Sequence, residues 1–303
     1  MKTKAGNSRD SVEWILIAKG IGIVLVVIGH FYPDTSPRYW SAIRDVIYSF
    51  HMPMFFILSG YLYSHDKYSY SDLIKNKIRR LLYPFISVAA LFFIVKYVAG
   101  WVVNLGHPVN IGSIYALVTD PVNSYMPLLW FVYTLFLIFA IYPLARMFLN
   151  NVVILLLLLF IKSFFGSKYL VFGEVIYHMP FFIIGIILRE NAKLSEMAIS
   201  ANWRHILAAL ALFSLGYVVR LSFNVLPMYE YLTSIYLGIT GSLFVINISH
   251  NISTLSVNRA KSVLLQIGYY SMTIYLFHTL FESTVRIGVL QVLRNIQVPF
   301  ELF

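Results

Sequence analysis

The sequence predicts an all-α fold, a polytopic transmembrane helical bundle of nine or ten spans with its N-terminus in the cytoplasm. Three observations predict it. Of the 303 residues, 59% are hydrophobic and only 12% charged, with mean hydropathy +0.75, whereas a soluble domain carries about 25% charged residues. The apolar residues fall in runs near the ~20 that a helix needs to cross a hydrocarbon core. Lysines and arginines gather in alternate connections between those runs.

The first run, 13–33, follows a basic segment, 1–12, as the apolar core of a signal peptide would. It contains Lys19 and lacks a small-x-small cleavage site, so it is expected to stay as a span. Runs at 45–64, 81–104, 126–147, 151–166, 170–188, 204–222, 229–249 and 262–281 bring the number to nine. A weaker stretch, 283–303, is interrupted by Arg286 and Arg294 and reads as a tenth crossing or an interfacial helix. Fourteen cations lie in one set of connections, among them Lys75, Lys77, Arg79 and Arg80, against six in the other. That asymmetry puts the N-terminus inside. A single membrane domain, 1–303, is the economical organisation.

Net charge is +10, but the cations sit in short loops, where orientation in the membrane explains them better than nucleic acid does. No nucleic-acid partner is expected. With no cysteine, disulfides, thiolate metal sites and cysteine nucleophiles are excluded.

An ionisable group within a span costs at least ~2.5–3.5 kcal/mol on insertion scales and marks function by default. Lys19 and His30 lie eleven residues apart, which on a helix is about 20° past three full turns and roughly 16 Å of rise. The two side chains share one face at different depths, and such a stripe must meet the bundle interior rather than lipid. The competing reading has Lys19 snorkelling to the interface and His30 only ending the span. His51, His178 and His278 fall at a depth similar to that of His30, and imidazole is suited to proton transfer near neutral pH. No metal is expected, because pairs such as HxxxH on one helix are lacking and acidic partners are sparse. The cluster Lys75, Lys77, Arg79 and Arg80 has the chemistry to hold phosphates, although stop-transfer charge accounts for it equally well. His51-Met52-Pro53 is echoed by His178-Met179-Pro180.

These residues stand in an order that resembles the acyltransferase-3 family of integral membrane O-acyltransferases. The similarity rests on Lys19 followed after a ten-residue gap by His30, on Phe50-His51-Met52-Pro53-Met54-Phe55-Phe56 leading to Ser59-Gly60-Tyr61, and on Lys77 and Arg80 separated by two residues. Leu129-Trp130-Phe131, Met179-Pro180-Phe181-Phe182 and the block from Gly268 to Tyr275 and His278 resemble later signatures, so the likeness runs from about residue 12 to about 280. The His51-Met52-Pro53 variant is similar to the fucose 4-O-acetylase and exopolysaccharide acetyltransferase branch. Family members often carry an aspartate three positions before the basic residue, where this chain has Leu16; Glu13 or Asp10 could take its place.

The resemblance implies a multi-pass protein of the plasma (inner) membrane that moves an acyl group, acetyl by family frequency, from cytoplasmic acyl-CoA to a saccharide hydroxyl. His30 and Lys19 would be catalytic, Lys75, Lys77, Arg79 and Arg80 would hold the acyl-CoA donor, and His51, Ser59, Tyr275 and His278 would orient the acceptor. Ser59-Gly60 has a plainer reading as a small-residue helix contact. Partners are then acyl-CoA, a saccharide and membrane lipid, with no metal cofactor. From another class, a transporter exporting lipid-linked sugar or a small acyl metabolite also suits intramembrane Lys and His.

Overall fold

The structure, a computed structural model, describes residues 10–31, 38–64, 68–100, 109–165, 170–222 and 227–282. The expected tail element at 283–303 and most of the N-terminal segment 1–12 lie outside the described residues. Helices follow one another along the chain: α1 (Asp10–His30), α2 (Arg38–Tyr48), α3 (His51–Tyr61), α4 (Tyr70–Lys77), α5 (Tyr83–Ala99), α6 (Ile111–Thr119), α7 (Trp130–Phe148), α8 (Asn151–Phe165), α9 (Leu170–Glu190), α10 (Ala192–Ala198), α11 (Trp203–Ser222), α12 (Pro227–Thr254) and α13 (Arg259–Tyr269). A last helical stretch covers 271–282.

Among the described residues six helices are long and apolar enough to cross a membrane: Glu13–His30, Tyr70–Val98, Pro127–Phe148, Val171–Glu190, Trp203–Ser222 and Tyr229–Thr254. Three of the expected spans differ for local reasons. Run 45–64 is divided into α2 and α3 by a turn at Ser49 and Phe50, because Pro53 has no N–H to return to the Ser49 carbonyl. Run 262–281 is interrupted at Tyr270, just after Gly268, between α13 and the stretch 271–282. Run 151–166 is helical over 15 residues, or about 22 Å, short of a ~30 Å hydrocarbon core.

The expected span 81–104 starts earlier than its apolar run. The Ser69 hydroxyl caps α4 by accepting from the Asp72 N–H, and the helix passes through a π turn, Ile78–Leu82, into α5. Pro84 explains the widened turn, since its ring would meet the carbonyl of Arg80 in a regular α-helix. Arg79 and Arg80 sit on that turn.

The chain divides into two compact units. One comprises Met1–Leu58, Asn191–Asn224 and Leu232–Phe303. Within it α1 crosses α13 so closely that a Cβ on Gly268 would strike the Leu16 carbonyl oxygen, and one on Gly20 the Leu264 carbonyl oxygen. Glycine at both positions lets two backbones meet directly. Lys261, only 4% exposed, fastens the same pair by an ion pair to Glu13 at 2.9 Å and by bonds to the carbonyls of Ser253 (2.7 Å) and Leu255 (2.9 Å). Glu13 is thus engaged with Lys261.

The other unit comprises Ser59–Glu190 and Val225–Tyr231. Its core is aromatic: Tyr63 packs on Phe139, Tyr142 and Phe182, with ring centres 5.5–6.1 Å apart. Arg189 closes over the end of α3 by donating to the carbonyls of Tyr61 and Tyr63.

Candidate active site

The first unit contains the seam anticipated from Lys19 and His30. Because α1 is unbroken between them, the helical period applies, and the stripe through both also passes Ile23 and Val26, which are 1% and 0% exposed. Val24 and Ile28, both exposed, lie about 140–180° away around α1. Gly20 faces α13 on one flank of the stripe, while Gly22 and Gly29 meet Met54 and Tyr48 on the other. The polar stripe therefore points into protein, and both Lys19 and His30 are half-buried.

His30 ends α1, and its Nδ1 lies 2.9 Å from the Val26 carbonyl oxygen. A carbonyl only accepts, so Nδ1 is the donor in this contact, and in the neutral ring the lone pair then lies on Nε2. The backbone thereby fixes the tautomer a general base requires. Three more rings gather there: His278 at 5.1 Å from His30 between ring centres, Tyr48 at 5.7 Å, and His51 at 5.1 Å from Tyr48. His51 and His278 are held the same way, through Nδ1 to the carbonyls of Ile47 and Tyr275 at 2.8 Å. His278 is 5% exposed, and its Nε2 has no hydrogen-bond partner among the described residues. A buried acceptor with no donor calls for an explanation, and a ligand hydroxyl supplies one.

Tyr48 is the residue the sequence did not single out. Its hydroxyl donates to the Gly29 carbonyl at 2.9 Å, and a Cβ on Gly29 would collide with its ring, so the glycine makes room for it beside His30. Tyr275 is buried one turn before His278. Of the four histidines expected at one depth, three share this unit; His178 belongs to the other, against Trp130 and Tyr177.

In the second unit the basic cluster separates by environment. Lys75, Arg79 and Arg80 are exposed. Lys77 instead sets its ammonium 3.4 Å from the centre of the Phe139 ring, an inward cation–π contact. Ser59 is half-buried beside Gly60, whose place a Cβ could not share with the Phe182 carbonyl; the small-residue reading of Ser59-Gly60 fits this crossing. Among the described residues no group of three or more His, Asp and Glu is placed to hold a metal ion.

A family model described as an acyltransferase domain, that of the acyltransferase-3 family, matches residues 12–300. The chain is similar to the nodulation protein NolL of Sinorhizobium fredii, 33% identical over 102 residues, which are 31% of this chain and 28% of that protein. It is also similar to the nodulation protein NolL of Mesorhizobium japonicum, 36% identical over 98 residues, 30% of this chain and 26% of that protein. The chain thus aligns with little more than a quarter of either relative's length. No solved structure matches.

Proposed function

The chain belongs to the acyltransferase-3 family, and from that premise we propose that it is an O-acyltransferase of the inner membrane that moves an acetyl group from cytoplasmic acetyl-CoA to a hydroxyl of a cell-surface or lipid-linked saccharide. The observation that carries this reading is the His30 imidazole, turned by the Val26 carbonyl so that Nε2 is basic, within a buried group of acceptor-bearing rings. Nε2 removes the proton from the saccharide hydroxyl as its oxygen attacks the thioester carbonyl. The C–S bond then breaks, and His30 returns the proton to the leaving thiolate. The orphaned Nε2 of His278 accepts from a neighbouring hydroxyl and holds the acceptor in register.

Lys19 lies ~16 Å along α1 from His30, too far to touch the reacting carbonyl. Its charge serves the arm of the donor instead. The donor phosphates fall to Lys75, Arg79 and Arg80, exposed cations of which the arginines offer forked donors; Lys77, committed to Phe139, braces the helix that carries them. The excess of positive charge in the connections that include this cluster supports its cytoplasmic placement.

Mass spectrometry of surface glycans from cells with and without the gene tests the reading. Loss of an acyl mass from one glycan supports it, and identical glycans contradict the acceptor. Acetyl-CoA should also raise the melting temperature of the solubilised protein, since a ligand bound only by the folded state stabilises it.

A further inference from the structure

In the unit that carries the seam, at the end opposite His30, α12 stops where α11 and α13 start. Asn247 of α12 accepts from the Ser200 N–H at 2.7 Å and donates to the Ala198 carbonyl at 3.1 Å, and Asn251 donates to the Ala201 carbonyl at 2.6 Å. These bonds fasten the last turns of α12 to the connection between α10 and α11. Lys261, bonded to the carbonyls of Ser253 and Leu255, brings the start of α13 to the same place. Both α11 and α12 are long and apolar enough to cross a membrane, so their joined ends mark one boundary of the bilayer. At that boundary the surface is apolar and basic together. Met197, Trp203 and Val257 are 62–75% exposed, and Leu194 and Leu255 are exposed as well. Lys193, Arg204 and Arg259 are exposed too, against one exposed carboxylate, Glu196, in 191–204 and 255–260. Arg204 sets its guanidinium carbon 5.9 Å from the centre of the Trp203 ring. Arg204 and Arg259 stand in the first turns of α11 and α13, and neither turn has an acidic residue. Cations there oppose the helix dipole, so an anion outside the protein relieves them.

We propose that this patch is a binding surface for anionic phospholipids. Met197, Trp203, Leu255 and Val257 dip into the interface, and Lys193, Arg204 and Arg259 meet the negatively charged head groups. Tryptophan favours the head-group level. Apolar side chains sunk into that level and cations drawn to anionic lipid act together. Position selects lipid over an acidic protein segment, which would match the charge alone. Trp203 opens a membrane-crossing helix, and Leu207, one turn further, is exposed, so the patch runs on from a face that lies against lipid. The surface is independent of which donor and acceptor the seam uses.

Trp203 reports the contact. Full-length protein in neutral-detergent micelles is titrated with brominated phosphatidylglycerol or brominated phosphatidylcholine, and the fluorescence component that Trp203→Phe removes is followed. Phosphatidylglycerol should quench that component at the lower lipid concentration. Each cation near an anionic surface contributes about fivefold, so Lys193→Gln, Arg204→Gln and Arg259→Gln combined should weaken phosphatidylglycerol binding about a hundredfold and leave phosphatidylcholine unchanged. If the triple variant does not fold, Arg259→Gln alone should weaken binding about fivefold. Equal quenching by the two lipids, or wild-type affinity in the variant tested, overturns the surface. Relief of quenching by acetyl-CoA assigns the cations to the donor, and shielding of Trp203 from both lipids in native membranes assigns the patch to a protein partner; either result overturns it.

Discussion

Lys261 is the best place to measure what holds α1, the helix that carries Lys19 and His30. Its ammonium has three oxygen partners, Glu13 Oε1 on α1 and the carbonyls of Ser253 and Leu255 at the end of α12, where helix carbonyls have no further N–H to accept from. Replacing Lys261 by Met keeps the apolar stem and deletes all three. A hydrogen bond to a charged group contributes ~1.5–3 kcal/mol net. The Glu13 side chain is 24% exposed, so its share is closer to the ~0–1 kcal/mol of a surface pair. The two carbonyls dominate, and Lys261→Met should cost about 3–5 kcal/mol, the range for breaking a buried pair. Glu13→Gln leaves both carbonyl bonds intact and should cost about 1 kcal/mol or less. Reversible unfolding in mixed micelles reads both. Equal costs for the two variants, or no loss in Lys261→Met, would refute the account of how α1 is anchored.

Two further substitutions separate packing from chemistry. Gly268→Ala thrusts a methyl group at the Leu16 carbonyl, where neither backbone can rotate away. It should destabilise by ~1–3 kcal/mol and lower kcat by shifting the helix that ends in His30, whereas wild-type unfolding and rate would deny the close crossing. Replacing Arg79 and Arg80 together by Met should raise KM for acetyl-CoA at least tenfold, since a charge-assisted bond is worth ~1.5–3 kcal/mol, with little change in kcat. Lys77→Met should leave KM alone and lower stability, and the reverse pattern would contradict the division of labour in that cluster.

The sequence was most informative where a period operates. The Lys19 and His30 stripe follows from helical spacing alone, and the structure turns it inward between Gly20 on one flank and Gly22 and Gly29 on the other. Apolar runs located the long helices, but a hydropathy run does not record that Pro53 withholds an N–H from Ser49, or that the helix halts at Tyr270. Contacts between distant segments carry no period at all. Glu13 meets Lys261 from the other end of the chain, and Tyr48 is one of 22 tyrosines, distinguished only once α2 is folded beside Gly29. Lys77 read as a phosphate ligand because its neighbours are cations; its contact with Phe139 depends on α4 running on through the π turn into α5.

Purified protein given radiolabelled acetyl-CoA and the lipid-linked saccharide fraction of its own membranes offers the decisive comparison, wild type against His30→Ala. Loss of a general base lowers a rate by ~10²–10⁴, so label transfer should fall at least a hundredfold while acetyl-CoA still raises the melting temperature. Transfer by His30→Ala at the wild-type rate would contradict the assignment of His30 as the base.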